Sequence, residues 1–349
     1  MIRWFRKRSP YERASVKVYH GYGHTHNLIV YGHVFKRKAI TWPKFKNNVF
    51  YNTRRLLRLF MVKPFPRANV QLRWREQLVR STTEDDGFFK FEWQAEHDVE
   101  AGWHHLSVEL LDESGNVVCS GDGKMFVPHS TQYAFISDVD DTVMVSNSAT
   151  TFRRLKELFF RNPRTRSIFS DVARHYRLLA MNYGEEEVSN PFFYVSSSEW
   201  NLYDYLNEFF NFNGLPKGAF LLNQVKQWFE LLKTGKTKHE GKFVRVVRIL
   251  EAFPQQQFVL FGDNTQRDPW IYAALAKKLP GKIFAIYIRN IIPAHHEKTK
   301  IILDEAGKAG VHVCLFRQSE EAIRHSESIG LISSSVSSLS SNEAKDVEI

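Results

Sequence analysis

Cysteine is almost missing from this chain: of 349 residues only Cys119 and Cys314 carry a thiol. Two cysteines so far apart make neither a disulfide framework nor a zinc-ligand pattern, and they fit a reducing compartment. Long apolar runs are missing too. None approaches the ~18–20 residues that a membrane-spanning helix needs. The opening Met1-Ile2-Arg3-Trp4-Phe5-Arg6-Lys7-Arg8 holds no apolar stretch of the secretory kind. The expected location is cytoplasmic, with peripheral attachment to a membrane left open. Acidic residues are scarce in one place. The first 80 residues hold only Glu12 and Glu76 of the 38 acids, against 19 of the 48 lysines and arginines. That stretch carries +17 and the other 269 residues −7, within a total of +10. A basic lobe on a mildly acidic body fits an anionic membrane surface. Nucleic acid is a poorer match, since no aromatic-interleaved reading motif accompanies the charge. Within the lobe, Arg54-Arg55-Leu56-Leu57-Arg58-Leu59-Phe60-Met61 suits an interfacial amphipathic helix, or equally a helix packed on a neighbouring sheet.

What is present divides into two textures. Residues 14–130 read as an all-β, sandwich-like domain after a basic segment, 1–13. Val70-Gln71-Leu72-Arg73-Trp74 and Phe89-Lys90-Phe91-Glu92-Trp93 alternate with the period of half-buried strands. Asp85-Asp86-Gly87, Glu113-Ser114-Gly115-Asn116 and Gly121-Asp122-Gly123 read as turns between such strands. His20, His24, His26 and His33 match no zinc spacing and read as surface histidines. From 131 to 332 short apolar runs alternate with amphipathic stretches, the pattern of a parallel sheet bearing helices. Residues 333–349 are serine-rich and read as a disordered tail.

Two of the apolar runs end in carboxylates. Ser137-Asp138-Val139-Asp140-Asp141-Thr142 follows the first, and Gly262-Asp263-Asn264-Thr265-Gln266-Arg267-Asp268 follows another. Carboxylates gathered close together are costly without a cation. In parallel sheets ligands sit beyond the carboxyl ends of the strands. Asp138, Asp140, Asp263 and Asp268 therefore describe a hard-cation site, with Mg2+ suited to such oxygen ligands. Ser196 ends the run Phe192-Phe193-Tyr194-Val195 and is expected at the same edge. Lys242, opening a helix with Val244, Val246, Val247 and Leu250, offers a cation; Lys233, Lys236 and Lys238 lie nearby.

In this order the residues resemble the four motifs of the haloacid dehalogenase superfamily. Asp138, Asp140 and Thr142 match the first, Ser196 the second, Lys242 the third, and Asp263 with Asp268 the fourth. More narrowly, the strings SDVDDTV, FFYVSSSEWNLYDYL, LPKGAFLL, RILEAFP and FVLFGDNTQRDPWIYAAL resemble the catalytic domain of actin-patch-type phosphatidate phosphatases. One departure is Asn223, where many members are expected to carry arginine. The resemblance implies an α/β fold: a Rossmann-like, haloacid-dehalogenase-type parallel sheet preceded by the smaller all-β domain. It also implies Mg2+-dependent hydrolysis of phosphatidate to diacylglycerol at a membrane face. Asp138 would be the nucleophile and Asp140 the acid–base. Thr142, Ser196 and Lys242 would bind the phosphate. The metal would be held by Asp138, Asp263 and the Asp140 carbonyl, with Asp268 orienting its shell. The span between the first two motifs, with Arg161-Asn162-Pro163-Arg164-Thr165-Arg166, is short for a full cap and leaves room for a surface-bound substrate. A hydrolase of soluble phosphate esters and a non-catalytic lipid-binding module are the rival expectations.

Overall fold

The computed structural model describes residues 11–24, 26–37, 61–128, 133–144, 168–169, 171–181, 189–223 and 238–333. Residues 1–10 of the basic opening segment, residues 54–60 of the expected interfacial helix, the arginines between the first two motifs and residues 334–349 of the serine-rich tail lie outside them.

Eight strands form a mixed sheet: β1 (Ser15–Val18), β2 (Gly21–Gly23), β3 (Asn27–Phe35), β4 (Asn69–Trp74), β5 (Gln77–Thr82), β6 (Phe88–Gln94), β7 (Gly102–Leu111) and β8 (Val117–Val127). Their order is β1-β3-β2-β8-β7-β4-β5, with β6 on β3. The β2–β8 pair is parallel and the rest are antiparallel. The period-two segments place Val70, Leu72, Trp74, Phe89, Phe91 and Trp93 in its core. Two readings are corrected here. Gly121-Asp122-Gly123 is no turn but lies inside β8. Its glycines let β1 pass closely: a Cβ at Gly121 would meet the Val16 carbonyl at 2.5 Å. His33 is no surface histidine but fully buried, its Nδ1 bonded to the Tyr19 hydroxyl at 3.0 Å.

The second sheet is wholly parallel: β9 (Ala134–Asp138), β10 (Phe192–Glu199), β11 (Gly218–Asn223), β12 (Phe258–Asp263), β13 (Ile283–Arg289) and β14 (His312–Phe316). Parallel neighbours need crossovers. These contain α1 (Val172–Ala180), α2 (Tyr203–Phe212), α3 (Lys238–Ala252), α4 (Asp268–Lys278) and α5 (His296–Lys308); α6 (Ser319–Ser328) follows β14. The spatial order β11-β10-β9-β12-β13-β14 runs outward in both directions from β9. It is a doubly wound sheet whose order reverses between β9 and β12, where such sheets open a crevice for ligands.

Aromatic side chains join the two sheets. Tyr19, Tyr22, Ile29 and Tyr31 of the mixed-sheet region belong to the parallel sheet's hydrophobic core. Tyr19 stacks on Trp200 with ring centroids 4.2 Å apart, and Tyr22 meets Phe193 edge-on at 5.2 Å. Lys17 pairs with Asp204. Trp200 thus serves this junction, immediately after the strand that carries Ser196.

Candidate active site

The register of the parallel sheet brings three strand ends level. Asp138 pairs with Val195 of β10, and Ser137 with Phe261 of β12. Asp138, Ser196 and Asp263 therefore leave adjacent strands at one edge, on either side of the reversal. The chain after β9 turns tightly, with Asp141 in the left-handed region at φ 60°. Asp268 begins α4 and reaches back to β12, its Oδ2 accepting the Asp263 N–H at 3.3 Å. Only glycine at position 262 permits that approach. A Cβ there would lie 2.6 Å from Asp268 Oδ2 and 2.9 Å from the Tyr272 ring.

Asp138, Asp263 and Asp268 are all buried, and ligand oxygens from the three lie within 4.8 Å of one another. Lys242 Nζ sits among them, 2.8 Å from Asp138 Oδ1 and 2.5 Å from Asp268 Oδ1. Of the four lysines considered in the sequence, it is the one whose side chain is described. Burial opposes its charge, but Asp138, Asp268 and Asp263 outweigh burial and hold the ammonium protonated. One lysine does not neutralise three carboxylates. Burial, aided by Asp268, pushes the Asp263 carboxyl up to about 7 against the pull of Lys242. Burial likewise lifts Asp138 well above the usual range, and Asp268, Asp263 and Asp140 add to it. Asp138 Oδ2 is buried with no hydrogen-bond partner among the described residues. An orphaned carboxylate oxygen in an all-oxygen, electron-rich cluster fits a hard divalent cation.

The remaining expected residues line the same edge. Asp140 is buried, and its Oδ2 accepts from Ser196 Oγ at 3.1 Å. Thr142 directs its hydroxyl to Asp263 Oδ2 at 3.4 Å. Four other residues stand here. Thr265 and Arg245 were not anticipated, whereas Arg289 was expected near a strand end, where it could touch substrate, and Asn223 as a departure from the family pattern. Thr265 donates both its N–H and its hydroxyl to Asp263 Oδ1. Arg289 closes β13, and its Nε donates to the Thr142 carbonyl, so it braces the loop that follows β9. Asn223 accepts from Arg245 Nη1 at 2.7 Å, which explains how a guanidinium stands at that strand end although the strand itself carries none. The signal for Arg245 was its place three residues after Lys242, on the same helix face.

Residues 133–290 match the family model described as phosphatidate phosphatase APP1, catalytic domain. This part of the chain is similar to that family's catalytic domain. Phosphatidate phosphatase APP1 of Saccharomyces cerevisiae is 27% identical over 169 residues, which is 47% of this chain and 28% of the yeast protein. An uncharacterised protein of Schizosaccharomyces pombe is 26% identical over 163 residues, 46% of this chain and 25% of its own length. The chain thus spans about a quarter of the length of these relatives. A carbohydrate acetylesterase structure from Xanthomonas citri aligns over 87% of this chain and 68% of its own. At 8% identity and a TM-score of 0.32, that likeness carries no argument.

Proposed function

We propose that the chain is a metal-dependent phosphatidate phosphatase acting at a membrane surface. The observation that carries this reading is the Asp138–Asp263–Asp268 cluster. It leaves a buried Asp138 oxygen unpartnered at the reversal of a doubly wound sheet, inside a segment similar to the APP1 catalytic domain. Asp138, Asp263 and Asp268 would hold Mg2+ with the Asp140 carbonyl. When bound, the ion supplies charge neutralisation for the transferring phosphoryl group. Whether an ion is present or not, this chain's own residues have defined work. The Asp138 carboxylate attacks phosphorus in line; a Asp138–phosphorus bond forms as the ester P–O bond breaks. Asp140, oriented by the Ser196 hydroxyl, gives its proton to the departing alkoxide of diacylglycerol. As a carboxylate it then takes a proton from the water that attacks the aspartyl-phosphate and frees orthophosphate. Lys242 grips phosphate oxygens and balances the anions, while Thr142 and Thr265 keep Asp263 in place. The lipid assignment draws on the family description, and the +17 of the first 80 residues supports an anionic membrane as the surface. Among the described residues no helix is long and apolar enough to cross a membrane.

The test is phosphate and diacylglycerol release from phosphatidate in mixed micelles, with magnesium or with EDTA, beside a water-soluble phosphate ester. Magnesium-dependent turnover of phosphatidate supports the reading. Turnover of the soluble ester alone keeps the chemistry and removes the lipid.

A further inference from the structure

The carboxylates at the site outnumber its cations. Among the described residues Asp138, Asp140, Asp263 and Asp268 gather with one lysine, Lys242; with Asp140 protonated as the acid, that lysine and a divalent ion only balance the other three carboxylates before any phosphate arrives. A phosphomonoester brings up to two further negative charges into this buried place, so a second cation is called for. Arg245 lies one turn along α3 from Lys242, on the same face. Its guanidinium is anchored at one end. Nη1 donates to Asn223 Oδ1 at 2.7 Å, and Nη2 lies 3.4 Å from the Ser196 carbonyl. Asn223 is itself held, its Nδ2 donating to the Ser197 carbonyl at 2.9 Å. The strand end that presents the Ser196 hydroxyl therefore also holds the guanidinium. Gly241 leaves it room, since a Cβ there would stand 3.2 Å from Arg245 Nη1.

Arg245 has no carboxylate within ion-pair distance among the described residues, and its Nε is buried with no hydrogen-bond partner. A buried guanidinium N–H without an acceptor is costly and uncommon. Burial lowers the Arg245 pKa to about 10, which leaves it charged at neutral pH, with Asp138 favouring the charged form. The arrangement is a charged, positioned fork with donor capacity unspent, beside the nucleophile. Planar recognition of phosphate oxygens is what such a fork does best.

We propose that Arg245, held by Asn223 at the Ser196 strand end, is a second phosphate-binding cation that contacts the oxygens of the substrate's phosphoryl group. This rests on the reading of the site as a phosphohydrolase centre, but not on the identity of the alcohol. The test is direct binding of orthophosphate, the product of any such hydrolysis. It is measured by calorimetry on the full chain in saturating magnesium. The proteins are the parent, Arg245→Ala, Arg245→Lys, Asn223→Ala and, as a remote control, Arg174→Ala, which among the described residues loses the Glu320 ion pair between α1 and α6.

Removing the charged hydrogen bonds of Arg245 is expected to weaken orthophosphate binding about 10- to 100-fold. Arg245→Lys, which keeps charge without the fork, falls between Arg245→Ala and the parent. Asn223→Ala weakens binding by less than Arg245→Ala, and Arg174→Ala leaves it unchanged. Orthophosphate bound equally by the parent and Arg245→Ala overturns the proposal, as does a parent that shows no saturable binding. Should Arg245→Ala fail to fold, Arg245→Lys and Asn223→Ala decide the matter, and parent-like binding in both overturns it. Phosphatidate turnover by the parent is scored separately. Its absence would remove the lipid substrate while leaving the orthophosphate result standing.

Discussion

Gly262 does for this site what no other residue type can. It closes the distance between β12 and the first turn of α4, so that Asp263 and Asp268 become neighbours. Gly262→Ala is expected to cost about 1–3 kcal/mol through overpacking against Asp268 and Tyr272. It should also weaken magnesium binding, read together by denaturant titration and magnesium-dependent melting. Asp263 carries a second prediction. Its folded pKa is raised, from 3.8 to about 7, so the metal-free fold binds that proton more tightly than the unfolded chain. The stability this gives is full below the unfolded value and is lost as pH rises through about 7. A cation competes with the same proton, so magnesium should raise Tm more at about pH 8 than at about pH 5.5. Equal shifts would contradict it. The carboxylates were legible in the sequence because two apolar strands both run into clustered acids, although the start of a helix alone would favour Asp268. Arg245 was not, because its meaning comes from Asn223 on a strand that only folding brings beside it. His33 was misread because the tyrosine that gives its ring a partner lies in the link between β1 and β2, which only folding brings beside it.

At the scale of elements, the end of β13 is tied to the loop after β9 by one buried side chain. Arg289 donates to the carbonyls of Thr142 and Arg317 and to Ser319 Oγ, between the rings of Phe169 and Phe316. Arg289→Ala leaves two carbonyls and a hydroxyl without their donor, and should cost about 2–4 kcal/mol. The check is urea unfolding, with Arg289→Lys recovering only part of the loss. The parallel sheet was foreseen from continuous apolar runs alternating with helical stretches. The strand of Gly121-Asp122-Gly123 was not, since a glycine pair reads as a turn unless one knows that β1 crosses there. That knowledge is tertiary. Its evidence is the close fit of Val16 and Val18 against the two glycines.

At the scale of the whole molecule, the mixed sheet is joined to the residues just beyond Ser196 by aromatic stacking. Tyr19 lies on Trp200 and against Tyr203, and Tyr22 lies against Phe193 and Phe253. Tyr19→Ala is expected to cost about 3–5 kcal/mol and to split a single unfolding transition into two, because the lost contacts span both sheets. A single unshifted transition would show that the two regions do not depend on this junction. Such a junction gives the mixed sheet a fixed bearing on the strand edge where the carboxylates gather. The proposed reaction passes through a covalent intermediate at that edge. Acid quenching during turnover of phosphatidate labelled in its phosphate should leave a hydroxylamine-labile phosphoryl group on the peptide containing Asp138, absent in Asp138→Asn. Turnover with no such label, or turnover persisting in Asp138→Asn, would contradict it.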